Sequence, residues 1–262
     1  MVKVDVLLHG QSLRTNQGIA AFCSVVLIEG TLRTVVDFGH VGRRNVLIAA
    51  LADRGLTPRD IDVTVATHAH WDHIQNLDLF RHAPMLIHPL ERRYARAPHP
   101  NDWATPPWTG AMIETHPNIV EADEGYEIEP GVRLIATPGH TAGCLCVVAD
   151  TADGVAVVTG DVLHSAGIAK AGKCSAVFWN EAQASEAIAR IIGMADVIYP
   201  GHDRPFRVGE DGFEHLVPFE IEVSGLDPDD PNVKFVNRKR EQWVMPGIED
   251  QHIEDLTPGA QS

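Results

Sequence analysis

Four side chains able to bind a metal stand within the short stretch Thr67-His68-Ala69-His70-Trp71-Asp72-His73. They follow Asp62-Val63-Thr64-Val65-Ala66-Thr67, a run rich in β-branched residues that reads as a buried strand. At the end of an extended segment, side chains two apart point the same way, so His68 and His70 can grip one ion together. The chain must then turn. Asp72 suits the cap of a helix over residues 74–80, which leaves Asp72 and His73 facing a second position nearby. The spacing differs from the helical H-E-x-x-H pattern, in which the two histidines lie on one helix face. The plain alternative is a histidine-rich surface loop that binds nothing.

Three more β-like runs each lead into a residue of the same kind. Val132 to Ala136 precedes His140, Val155 to Thr159 precedes Asp161, and Val197 to Tyr199 precedes His202. Strands sharing a sheet edge bring their trailing loops together, which would gather these ligands into one site. Gly139, Gly160 and Gly201 stand beside the three later ligands, as suits backbone bends that aim a side chain inward. No single run is specific; the ordered set of four is.

The H-x-H-x-D-H stretch, with Pro138-Gly139-His140-Thr141, Gly160-Asp161 and Pro200-Gly201-His202, resembles the metallo-β-lactamase superfamily over residues 1 to about 208. The resemblance implies an α/β fold, a four-layer αβ/βα sandwich of two packed mixed sheets with outer helices. It also implies a binuclear centre in which His68, His70 and His140 hold one ion, Asp72, His73 and His202 hold the other, and Asp161 bridges them. Five imidazoles and two carboxylates without a thiolate suit zinc best, with iron, manganese or cobalt as alternatives. Two such ions about 3.5–4 Å apart can share one hydroxide and polarise a carbonyl. The bridging Asp makes the chain most similar to the lactonase and glyoxalase II-like branch, so the expected activity is hydrolysis of a lactone or similar carboxylic ester. Asp37 resembles the family's carboxylate that orients a ligand imidazole, and as a residue before Gly39 it equally suits a turn. In lactonases of this family a Tyr commonly lies three residues after the bridging Asp; here that position is His164. His164 could donate a hydrogen bond to the carbonyl, protonate a leaving alkoxide, or face solvent as a loop residue. Asp72 and His164 are the residues expected to act in turnover.

The elements that must position these residues are legible in outline. Residues 1–9, 21–29 and 31–36 read as strands, with residues 10–18 as a loop. A helix over 43–54 carries Val46, Leu47, Ala50 and Leu51 as its apolar stripe. Met85 to His88 is a short strand. Residues 91–118, with five prolines, Trp103 and Trp108, read as a long aperiodic loop, either a lid or substrate wall or a packed surface excursion. Asn180 caps a helix whose buried face is Ala184, Ala187, Ile188, Ile191 and Ile192, ended by Gly193. The expected organisation is a catalytic domain over 1–216 and an extension over 217–262. The extension includes the run Asp227 to Pro231, with Val233 to Val236, Trp243 and Met245 apolar enough to dock. It would lie as an arm on the domain or on a neighbouring subunit, the latter giving a homo-oligomer, with the last ten or so residues frayed.

Composition narrows the function classes. With 21 Lys+Arg against 36 Asp+Glu in 262 residues, the formal net charge is −15, a surface that repels phosphate backbones. Nucleic acid is therefore not the expected partner, and phosphodiester cleavage ranks low. No apolar run approaches a membrane span, and the start is too short and acidic for a signal peptide, so a cytoplasmic protein acting on a small molecule is expected. Cys23, Cys144, Cys146 and Cys174 show no zinc-knuckle spacing, and disulfides are not expected. Thioester hydrolysis of the glyoxalase II type is the main alternative, with Arg92, Arg93, Arg96, Lys170 and Lys173 as candidate contacts for an acidic thiol carrier. An iron-dependent persulfide dioxygenase shares part of the motif and is a further one.

Overall fold

Alternating burial along the strands explains how the chain layers itself. In Val25–Glu29, Val25 and Leu27 enter one hydrophobic cluster while Val26 and Ile28 enter another. In Leu145–Thr151, Cys146 and Val148 face a third cluster while Leu145, Val147 and Ala149 share the second with Val26 and Ile28. Side chains two apart on a strand share a face, so both sheets are buried on both faces. The middle cluster lies between the sheets. The outer two lie beneath helices such as Arg44–Ala52 on one side and Glu181–Met194 on the other. The result is the expected four-layer αβ/βα sandwich. The computed structural model describes residues 1–209, 212–224, 229, 234, 236 and 241–256.

The first sheet has the order Lys3–Leu8, Val25–Glu29, Arg33–Val36, Val63–Val65, Met85–Ile87, Ile119–Glu121, and its last four strands run parallel. Their trailing ends therefore lie at one edge, and the first three of them lead into Asp37, His68 and Glu91 in turn. The second sheet has the order Gly212–His215, Phe206–Gly209, Val197–Pro200, Gly154–Gly160, Leu145–Thr151, Val132–Ala136, Glu127–Glu129. Val132–Ala136 and Gly154–Gly160 are each antiparallel to the strand between them, and Gly154–Gly160 is parallel to Val197–Pro200. These three run the same way and deliver His140, Asp161 and His202 to one edge. Ser24 joins the two edges: its N–H donates to Gly201 O at 2.7 Å and its hydroxyl to Pro200 O at 2.6 Å.

Several elements differ from the expectation. Residues 10–18 are no loop: Gln11–Thr15 and Gly18–Phe22 form a β-hairpin of their own. The helix after His70 begins earlier, over Trp71–Ile74, followed by a separate 3₁₀ turn at Leu77–Phe80, so Asp72 sits in the first turn and is not its cap. Half of residues 91–118 is helical, with Pro89–Arg96 and Pro107–Glu114 packed on each other. Each of these helices opens on a proline, which is tolerated in the first turn because its missing N–H would have no helical partner there. Of the five prolines assigned to the loop, Pro107 is a helix start. Val46 is 56% exposed and does not join the stripe that Leu47 and Leu51 bury. In the extension, Trp243–Val244 pairs in parallel with Ala176–Val177 of the same chain, and Met245 is buried. The Asp227–Pro231 run other than Asp229, Val233 and Phe235, and the last six residues lie outside the described residues, while Val236 is exposed. No helix among the described residues is long and apolar enough to cross a membrane.

Gly139 brings the second sheet's ligand loop against the helix Glu181–Met194. Its φ is +139°, and a Cβ there would collide with the backbone of Ala184. Gly193, by contrast, lies inside that helix with open space around it. Gly139→Ala is therefore expected to lower the thermal midpoint by about 5 °C or more, and Gly193→Ala to raise it by about 2 °C. Scanning calorimetry of the two variants checks both signs.

Candidate metal centre

The residues that the sequence pattern singles out converge at the shared edge. One ligand atom each from His68, His70, His140 and Asp161 lies within 4.8 Å of the others, as does one each from Asp72, His73 and His202. Asp161 stands between the groups: its Oδ2 is 3.7 Å from His140 Nε2 and 3.2 Å from His202 Nε2, and its Oδ1 is 3.2 Å from His73 Nε2. All seven side chains are buried. His68 Nε2, His70 Nε2, His73 Nε2, Asp72 Oδ2 and Asp161 Oδ1 have no hydrogen-bond partner. Leaving that many buried polar atoms unmatched costs several kcal/mol (roughly 1–3 each), so the cluster fits bound cations and fits little else.

Three of the five imidazoles are held from behind by a carboxylate or a carbonyl. His73 Nδ1 contacts Asp37 Oδ2 at 2.8 Å, His140 Nδ1 contacts Ala176 O at 2.6 Å, and His202 Nδ1 contacts Phe22 O at 3.1 Å. A carbonyl or carboxylate at Nδ1 makes that nitrogen the donor and turns Nε2 toward the cluster. Asp37 fills both of the roles foreseen for it. It turns the chain with φ at +62°, a conformation a short polar residue tolerates, and it also accepts from Thr67 N and Thr67 Oγ1. Burial, with further lowering from neighbouring imidazoles, keeps His68 and His70 well below the usual histidine range, and burial puts His140 at about 3. These rings are thus neutral, the form that binds metals. Burial alone would raise the Asp161 carboxyl, but the imidazoles of His164, His202 and His73 outweigh it and hold the group well below the carboxylate range.

His164 turns inward. Its Nε2 is 2.9 Å from Asp161 Oδ2, without a hydrogen bond's alignment, and its ring lies 4.8 Å from that of His202. Asp161, His164 and His202 thereby make a third set of mutually close ligand atoms. Cys174 approaches His140 Nδ1 at 3.9 Å, but burial pushes its thiol up to about 12, and all four cysteines are free. A cavity of about 270 Å³ opens onto the cluster, floored by His70, Asp72, His140, Asp161, His164 and His202. Of the two tryptophans in the 91–118 excursion, Trp103 lines this cavity; Trp108 does not.

Sequence reasoning missed Glu91. Its carboxylate is wholly buried and accepts from Ala69 N at 2.8 Å through Oε1, and from Thr141 Oγ1 at 2.7 Å and Gly143 N at 3.0 Å through Oε2. It thus ties the loop of His68 and His70 to the loop of His140. Burial outweighs these three hydrogen bonds and pushes the carboxyl up to about 7. The only hint in the sequence was its place after a third parallel strand, and that parallel arrangement was itself not legible.

Comparison with known proteins agrees with this geometry. The family model described as the metallo-beta-lactamase superfamily matches residues 18–211. Metallo-beta-lactamase domain-containing protein 1 of Xenopus laevis is 31% identical over 217 residues, 80% of this chain and 83% of that one. An N-acyl homoserine lactonase of Bacillus cereus is 26% identical over 140 residues, 53% of each chain. A solved structure of B. thuringiensis AiiA with N-decanoyl-L-homoserine bound at its active site superposes with a TM-score of 0.61 at 20% identity, covering 77% of this chain and 92% of that one. At that identity the likeness speaks to the fold. The chain belongs to the metallo-beta-lactamase superfamily and carries a His/Asp cluster suited to divalent metal.

Because all three donors to Glu91 require an acceptor, Glu91→Gln should set an amide N–H against at least one of them. The expected outcome is a thermal midpoint lower by about 4–8 °C and a reduced metal content after dialysis against a weak chelator. Wild-type values for both in the Gln variant would remove Glu91 from the support of the site.

Proposed function

We propose, with family membership as the premise, that this chain is a binuclear metal-dependent hydrolase that opens a lactone or a similar carboxylic ester, zinc being the ion best suited to its ligands. The observation that carries the reading is the pair of buried ligand groups sharing Asp161, built from nitrogen and oxygen donors alone. His68, His70 and His140 would hold one ion, Asp72, His73 and His202 the other, and Asp161 both. When bound, such a pair supplies Lewis acidity, lowering the pKa of water so that hydroxide is available at neutral pH and polarising the carbonyl under attack.

The chain's own residues would do the rest. Asp37, Ala176 O and Phe22 O hold the imidazoles to their tautomers. The cavity walls seat the ester above Asp161. His164, on the cavity floor beside Asp161, is positioned to give a proton to the leaving alkoxide. The lactonase among the relatives supports a cyclic ester as the first substrate to try. The basic side chains considered for an acidic thiol carrier support that reading less. Arg92 pairs with Glu114 and Glu121, Arg96 pairs with Glu114, Arg93 donates to Leu256 O, and none of them lines the cavity.

Metal analysis of unsupplemented protein, followed by a panel of lactones, matched oxo- and thioesters and amides, tests the reading. Full metal occupancy with no turnover on any of them would end it. Chelation should abolish activity and zinc restore it. Asp72→Ala is expected to bring turnover to background and to lower the bound metal from two ions per chain toward one, with circular dichroism unchanged; near-wild-type rates would sink the two-ion scheme. His164→Ala should lower kcat by about a hundredfold on alkyl esters and much less on nitrophenyl esters, whose leaving group needs no proton.

A further inference from the structure

The cavity above the cluster has one wall of a distinct kind. Phe178 and Trp243 lie with ring centroids 5.0 Å apart, Trp103 and Phe178 5.6 Å, and Trp103 and Trp243 6.0 Å, at interplanar angles of 56° to 63°. Phe178 also meets His70 edge-on at 4.6 Å, so this group begins where the ligand cluster ends. Phe178 is buried, whereas Trp103 is 50% exposed and lines the cavity with Trp71 and Trp243. The half-open indole of Trp103 therefore offers apolar area beside the cluster, and covering it would stabilise a bound apolar group.

The wall is rigid because separate segments pin it. Asp102 is buried, accepts from Tyr94 Oη at 2.9 Å, and caps Ala104 N at 2.8 Å and Thr105 N at 2.9 Å, which fixes the backbone on both sides of Trp103. Trp71 N donates to Ala104 O, linking that turn to the metal loop. On the other side, Trp243 N donates to Ser175 O and Met245 N to Val177 O, while Asn101 Nδ2 donates to Pro246 O and Gln251 Nε2 to Phe178 O. The C-terminal arm is thus part of the cavity.

We propose that Trp103, Phe178 and Trp243 form an aromatic subsite that receives a flat, uncharged ring carried by the substrate. This deepens the hydrolase reading and rests on it for the reaction. Tilted ring packing continues naturally into a further ring, whose edge and face complement those of the indoles, while an alkyl chain gains only dispersion. Charge on the walls does not override this preference: outside the ligand cluster the charged residues lining the cavity are Arg14 from the hairpin and Glu241 from the arm, and their formal charges cancel. Neither an anionic nor a cationic substituent is favoured over a neutral ring.

The test compares kcat/KM for zinc-loaded protein on phenylacetyl, cyclohexylacetyl, acetyl and betaine esters of one alcohol. The phenylacetyl ester is expected to be best, and its advantage over the acetyl ester should fall about three- to tenfold in Trp103→Ala, mainly through KM. Trp243→Leu should act in the same direction and controls for any misfolding of one variant. An unchanged ratio in folded Trp103→Ala, or a preference for the cyclohexyl or the trimethylammonium-bearing ester, would overturn the proposal. Should no ester be cleaved, the hydrolase reading fails by itself, and calorimetric titration with phenylacetate against hexanoate still decides the subsite. Tighter binding of phenylacetate that is lost in Trp103→Ala upholds it, and equal binding rejects it.

Discussion

Seven ionisable side chains lie between 0% and 7% exposed within one small volume, and everything near the sheet edge follows from keeping them there. Burying such groups without partners is costly, and positive ions repay that cost only if the donors already point at common positions. The fold meets this condition from outside the cluster. A backbone carbonyl fixed in position cannot rotate away, so Ala176 O and Phe22 O are more rigid supports for His140 and His202 than side chains would be. Asp37 does the same for His73 with a buried carboxylate, and buried Glu91 holds the backbone of the ligand loops rather than any ring.

The edge is also where the two sheets must agree. The first contributes His68, His70, Asp72 and His73 on one continuous turn, and the second contributes three ligands from three strands. Their relative placement is a long-range property, and small errors would separate the two groups of candidate ligand atoms. Ser24 bonding to Pro200 and Gly201, Glu91 bonding to both halves, and Gly201 packed where a Cβ would strike Asp161 Oδ1 all fix that placement at the site itself. The interior between the sheets, with Val26, Val65, Val147 and Val158, sets the layers but is too smooth to set registry alone.

How much of this was legible in the sequence depended on whether the information was local. The ligand motif was legible because a strand leading into a metal-binding side chain is a local pattern, and four copies in order, three ending in histidine and one in Asp161, implied convergence. The helix Glu181–Met194 was legible because Asn180 and a clear apolar period mark it. The hairpin over residues 11–22 was not, since its strands are short and half exposed and lack alternation strong enough to rise above loop. The helix opening at Pro107 was hidden because a proline can start a helix as well as mark a loop. Glu91 and Phe178 were invisible for a different reason: nothing local separates a buried glutamate that joins two loops from a solvated one on a helix.

The same division separates reaction from selectivity. The groups suited to reaction sit at strand ends of two interlocked sheets, where substitutions strain the core. The cavity walls come from other sources: the hairpin with Arg14, the excursion with Trp103, and the arm with Trp243. The excursion and the arm meet through Asn101 Nδ2 donating to Pro246 O and through the Trp103–Trp243 ring pair, and none of the three segments contributes to the clusters of candidate ligand atoms. A net charge of −15 supplies no local discrimination between small neutral esters, because its field is long-ranged and screened beyond roughly 10 Å. Selectivity in such a molecule must come from contact with the walls. Wall residues can therefore change the accepted substrate while the buried donors, and the hydrogen bonds behind them, stay as they are.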